Sequence, residues 1–109
     1  QYTLEESIAD LNKIKEAEPE AFQALAEVIS HVGKTFGNTG YYEAGSSVVN
    51  TKAILLGKNG LFANLHCALK YAQRYLTVGF EKSQNVLDLK KACHYLLFEI
   101  QRRRTWDKI

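Results

Sequence analysis

Proline occurs once, cysteine twice and methionine not at all in these 109 residues. No apolar run approaches the roughly 18 residues of a membrane span. The opening stretch, "QYTLEESIADLNKIKEAE", lacks the apolar core of a signal peptide. A cytoplasmic protein with no membrane attachment is therefore expected. Because the chain starts at Gln1 without a methionine, removal or omission of leading residues is also expected. The two cysteines, Cys67 and Cys93, stand 26 positions apart with no CxxC partner. That spacing argues against a disulfide frame or a zinc ribbon, and both are expected as reduced thiols, buried or half-buried.

Charge of one sign is also scarce. The formal net charge is +2, too small to call for an acidic partner by itself. Placement says more: the first twenty residues are acid-rich, whereas Arg102, Arg103, Arg104 and Lys108 gather at the end.

Motifs for covalent or metal chemistry are missing. There is no G-x-S-x-G elbow and neither H-E-x-x-H nor H-x-x-E-H among His31, His66 and His94, so no metal site is expected. "GKT" at Gly33 to Thr35 resembles the end of a P-loop, but position 28 is Val rather than Gly. The segment also closes a helix, whereas a phosphate loop must open one. Paired carboxylates of the E-x-x-E kind on facing helices are absent too, since a proline separates Glu16 from Glu20.

What is present is helical periodicity. Thr3 and Glu6 form a capping box ahead of Leu4, Ile8, Leu11 and Ile14, which repeat at helical spacing. Pro19 suits the first turn of a second helix, whose stripe is Phe22, Leu25, Ile29, Val32 and Phe36 and which ends near Gly37. Six of the seven glycines lie between Gly33 and Gly60. Around "SVVNTKAILL" periodicity does not separate helix from strand. After Asn59, Phe62, Leu65, Leu69, Ala72 and Leu76 mark the core stripe of a third helix with Gly79 as its stop. Ser83 or Asn85 caps a fourth, with Leu89, Cys93, Leu96 and Ile100 as its stripe.

The expected fold is all-α: one domain, a small bundle of about four helices with a glycine-rich central loop. Residues 1–37 form an N-terminal helix pair, 38–59 the connection, and 60–109 an antiparallel hairpin.

Off the expected core stripes lie basic and aromatic residues. Lys70 and Arg74 fall opposite the leucines of the third helix, with Tyr71 on its flank. Asp88, Lys91, Tyr95, Glu99 and Arg102 follow one flank of the fourth. Two cations four residues apart repel slightly, so an anion between them would explain their pairing. Ordinary solvated helix electrostatics explains much of the same pattern. Phe98 points away from the expected stripe and reads as an interface with another helix or another subunit; with Val78 it is the expected face for self-association.

"ALKYAQR" followed by "DLKKACHYL" resembles a family of small, mostly bacteriophage-encoded proteins of unassigned function, with the signature A-[IL]-K-Y-x-x-R then D-L-K-K-A-x-x-Y-L. The matching residues are Ala68, Leu69, Lys70, Tyr71 and Arg74, then Asp88, Leu89, Lys90, Lys91, Ala92, Tyr95 and Leu96. Cys67 stands where that family usually has Asn, and Tyr41 and Tyr42 are the nearest counterpart of its upstream His-Tyr pair. One branch is described as a nucleotide kinase without a P-loop. The resemblance thus implies phosphate contacts from Lys70, Arg74 and Lys91, and a base held by Tyr71 or Tyr95. It would place the protein in a host-cell cytoplasm.

Taken together, the sequence leads to the expectation of a phage-type helical protein that acts by non-covalent interaction. It is expected to be a homo-oligomer that binds a host protein or a nucleotide. The alternative is a nucleoside monophosphate phosphotransferase, with magnesium arriving alongside the nucleotide. Nucleic-acid binding through Lys70, Arg74, Lys91 and Arg102 to Arg104 is not favoured, because the net charge is modest and no helix-turn-helix spacing is evident.

Overall fold

Five helices follow one another in the computed structural model, which describes residues 3–37, 51–77 and 85–106. They are α1 (Leu4–Ala17), α2 (Pro19–Gly37), α3 (Thr51–Leu56), α4 (Gly60–Leu76) and α5 (Val86–Trp106). No strand occurs among the described residues, and no helix there is long and apolar enough to cross a membrane.

Local chemistry sets the helix ends. Thr3 Oγ1 accepts from the Glu6 amide at 3.1 Å, and the Thr3 amide donates to Glu6 Oε2 at 3.2 Å, closing the expected capping box. One residue, Glu18, separates α1 from α2. It precedes a proline, which disfavours helical geometry, and sits at φ −136° and ψ 70°. Its amide still donates to Ile14 O, and its carbonyl accepts from Phe22. At the start of α5, Asn85 is the cap: its Oδ1 accepts from the Leu87 amide at 2.9 Å. Ser83, Val78 and Gly79 lie outside the described residues, as does most of the glycine-rich connection. Where sequence left "SVVNTKAILL" open, Thr51–Leu56 is helical.

The turn from α3 to α4 depends on Gly60. A Cβ there would overlap Leu55 O and lie only 2.8 Å from Ile54 O, so the backbone approach admits glycine alone.

Helices α4 and α5 pack antiparallel. Arg74 meets Asp88, Tyr71 meets Tyr95, and Asn64 meets Glu99, so residue numbers fall along one helix as they rise along the other. The seam is not the expected one. Leu65, Leu69 and Leu76 of α4 are exposed, as are Leu89, Cys93, Leu96 and Ile100 of α5. Phe62 is exposed as well, at 79%. Between the helices lie Ala68 and Ala92 together with the polar Asn64 and Asp88, all buried. Small side chains let the two backbones approach; across the seam Asn64 Nδ2 donates to Glu99 and Asp88 faces Arg74, while Asn64 Oδ1 and Asp88 Oδ2 accept no hydrogen bond.

For Phe98, sequence left open another helix or another subunit, and the contact observed is with another helix. At 1% exposure it forms the centre of the small apolar core with Leu55, against which Leu56, Ala63 and Tyr95 pack. Its partner is α3, the helix-on-helix contact that was one of the two expectations. The short helix α3, which sequence left unassigned, supplies the cover that makes this side of α5 interior.

Candidate anion-binding site

Beside the α4/α5 seam, two tyrosines stack. The rings of Tyr71 and Tyr95 lie 5.9 Å apart at 13° between planes, both half-buried. Tyr71 comes from the flank of α4 that turns toward α5, and Tyr95 is one helical turn from Ala92 and Phe98 on the facing side of α5. Three cations converge on the same ring: Lys70 Nζ at 4.7 Å from its centroid, Lys91 Nζ at 5.2 Å and Arg74 Cζ at 5.5 Å. All three are within cation–π range.

The five side chains named from the sequence thus come together in space, although neither helix alone holds them in one row. Lys70 is exposed, and Arg74 and Lys91 are part-exposed, so their charged ends are open to a ligand. One carboxylate tempers the charge. Asp88, at 2% exposure, sits in the first turn of α5, where the helix dipole favours an anion. Its Oδ2 lies 3.6 Å from Arg74 Nε and has no hydrogen-bond partner. Asp88 therefore steers Arg74 without neutralising the group: three cations and one carboxylate leave an excess of two positive charges around a stacked aromatic pair.

A second polar cluster lies further along the seam; pairing of Glu99 with Arg102 or Arg103 is legible from helical spacing, whereas the part of Asn64 was missed by the sequence. Arg102 grips Glu99 in two-point fashion, Nε donating to Oε1 at 2.8 Å and Nη2 to Oε2 at 2.7 Å. Arg102 Nη1 also donates to Lys58 O at 3.2 Å. Asn64, fully buried, donates through Nδ2 to Leu55 O at 2.8 Å and to Glu99 Oε1 at 3.2 Å. The Arg102 hydrogen bond is the chief reason that the Glu99 carboxyl is held below its ordinary range. This network ties the α3–α4 turn to α5. It also removes Arg102 from any basic surface, so the trio Arg102 to Arg104 does not form one binding strip. The available signal was an asparagine amid apolar residues, one turn before Ala68 on the same helix face.

Third come the histidines. His94 is fully buried, stacks on Phe98 at 4.6 Å and 14°, and meets His31 of α2 edge-on at 5.6 Å. Burial, and then the neighbouring His31, pushes its pKa down to about 4. His31 is lowered too, by burial first and then by Lys90 and Lys91. His66, by contrast, is exposed. Among the described residues no group of three or more His, Cys, Asp or Glu side chains is placed to hold a metal ion, and Cys67 and Cys93 are free thiols.

In comparisons with known proteins, no family model, no curated protein and no solved structure matches the chain. The functional reading therefore rests on the geometry.

Proposed function

We infer that this is a phage-type binding protein that acts by non-covalent interaction, and that its ligand is a small phosphorylated molecule of the nucleotide class. The observation that carries the reading is the convergence of Lys70, Arg74 and Lys91 on the stacked Tyr71–Tyr95 pair. A phosphate gains charge-assisted hydrogen bonds from the cations. An aromatic base gains a stacking surface from a tyrosine. A ligand with a phosphate at one end and a flat ring at the other uses all of these groups.

Phosphoryl transfer is the second reading, kept because aligned cations also stabilise a transferring phosphoryl group. Among the described residues, the one carboxylate at the α4/α5 seam beside the tyrosines is Asp88, already drawn toward Arg74. Binding without turnover is the better supported form.

A panel of nucleoside monophosphates, each with and without magnesium, tests the reading by thermal shift. At a hundred times Kd, one-site binding contributes about 2.7 kcal/mol of stability. Lys70→Ala and Arg74→Ala each remove one charge-assisted contact of about 1.5–3 kcal/mol, so affinity should fall about 10- to 100-fold; the ligand-free Tm should stay put for Lys70→Ala, whereas Arg74→Ala also takes the counter-charge from buried Asp88 and should lower it. No response to any nucleotide would sink the reading. A response that survives both substitutions would move the site elsewhere. Release of labelled phosphate or formation of a diphosphate would favour the second reading.

A further inference from the structure

Past Lys91, on the side of α5 away from the tyrosines, α2 and α5 form an open polar groove of about 420 Å³. Glu27, Ser30, His31, Lys34, Leu87 and Lys90 line it. Its volume falls within the roughly 300–1,000 Å³ of small-molecule sites. Among the described residues neither lysine forms an ion pair or a hydrogen bond, in contrast to Arg74 and Arg102, which are each drawn to a carboxylate. Glu27 is the single carboxylate of the described lining, and it is exposed and pairs with neither lysine.

Helix electrostatics accounts for Lys34 alone. That residue stands in the last turn of α2, where the dipole favours a cation, but Lys90 and Lys91 stand in the second turn of α5, near the end where it opposes one. Packing of the two helices then brings Lys34 and Lys90 to one groove from distant parts of the chain, and like charges gathered in that way repel. His31 registers the same field: after burial, Lys90 and then Lys91 are what push its pKa down. An anion in the groove relieves both costs.

We propose that the groove is a phosphate-binding site, in which Lys34 and Lys90 hold the oxygens of an oligophosphate and the Ser30 hydroxyl donates to one of them. The ligand class follows from the lining. Lysine ammoniums act as point charges toward phosphate oxygens, a hydroxyl adds a neutral donor, and two cations against one carboxylate select an anion of more than one charge. Going round α5 at 100° per residue, Lys90, Leu87, Lys91 and Tyr95 follow in order, about 40–60° apart. Lys91 therefore stands between the groove and the tyrosine pair, and the phosphate is either free in solution or carried by a nucleotide whose base stacks on a tyrosine. The groove itself needs no nucleotide.

Sodium diphosphate, compared with sodium chloride of equal ionic strength, is the probe, and the ring protons of His31 in the full chain are followed by NMR across pH. The His31 signals should move to saturation, and its pKa should rise in the diphosphate-bound protein, because the anion offsets Lys90 and Lys91. Lys34→Ala and Lys90→Ala should each weaken diphosphate binding by about 10-fold or more. Lys34 is exposed and Lys90 part-exposed, and the His31 titration of the unaltered protein decides the matter even if a variant fails to fold. A nucleoside triphosphate separates the two sources: affinity lost in both Lys34→Ala and Lys70→Ala means that one molecule fills groove and tyrosine site together, and affinity lost in Lys34→Ala alone means that the phosphates bind without the base. A response to diphosphate with none to any nucleoside monophosphate would support the groove while removing the nucleotide reading of the tyrosine site. No His31 response to diphosphate, an equal response to sodium chloride, or binding that survives Lys34→Ala and Lys90→Ala but is lost in Lys70→Ala would each overturn the proposal.

Discussion

His94 should make stability fall as the solution is acidified, and the size of the effect follows from its burial. In the unfolded chain its imidazole takes a proton near the ordinary 6.5; in the fold it does so only near 4. Above pH 6.5 the ring is neutral in both states, and the histidine makes no difference. Below 6.5 the unfolded chain binds a proton that the native chain refuses, so stability declines until the folded pKa is reached. Each pH unit between the two values is worth about 1.4 kcal/mol, which gives a total loss of about 3 kcal/mol by pH 4. For a domain of this size that corresponds to roughly 10 to 20 °C in Tm.

Thermal denaturation between pH 8 and pH 4 reads the slope directly. His94→Phe keeps a flat ring to stack on Phe98 and removes the titration, so the variant should hold its Tm far better through that window. Its remaining slope belongs to His31, lowered in the same direction, and close to pH 4 to Glu99, whose depressed pKa likewise costs stability as it is protonated. If wild type and His94→Phe lose stability in parallel from pH 6.5 to pH 4, burial of the neutral imidazole is not what holds the pKa down, and the reasoning fails.

Two further substitutions probe the frame around the site. Gly60→Ala drives a methyl group into Leu55 O and Ile54 O and should cost at least about 2 kcal/mol, seen as a lower urea midpoint with unchanged m. An alanine tolerated at no cost would mean that the α3–α4 turn relaxes freely. Arg102→Ala leaves the Glu99 carboxylate in the seam with Asn64 as its remaining named partner, and should destabilise by about 3 kcal/mol. The Glu99 pKa should then rise toward its ordinary range, as followed by NMR titration.

How much of this was legible beforehand differs from element to element. The capping box of α1 and the change of helix at Pro19 are local chemistry that sequence is enough to place, whereas for α5 sequence left Ser83 and Asn85 open and the structure shows the Asn85 cap. The four long helices and their all-α class follow from periodicity for the same reason. Lys70, Tyr71, Arg74, Lys91 and Tyr95 could be picked out because they interrupt an otherwise simple pattern. Their meeting around one ring could not, because it depends on the register between two helices.

The interior was the part that sequence misplaced. Helix α5 has apolar residues on two sides, the leucine stripe and the Phe98 side, and hydropathy favours the leucines. Tertiary packing took the other side, because Asn64 satisfies Leu55 O and Glu99 while Ala68 and Ala92 allow close approach. A polar side chain counts against burial until its partner is known, and that partner is up to 35 residues away. Sequence by itself determined the four long helices and which residues carry charge, but not α3, where periodicity left helix and strand open. Only the tertiary structure decided which face of each helix is inside, since that choice rests on hydrogen bonds and contacts between residues distant in the chain.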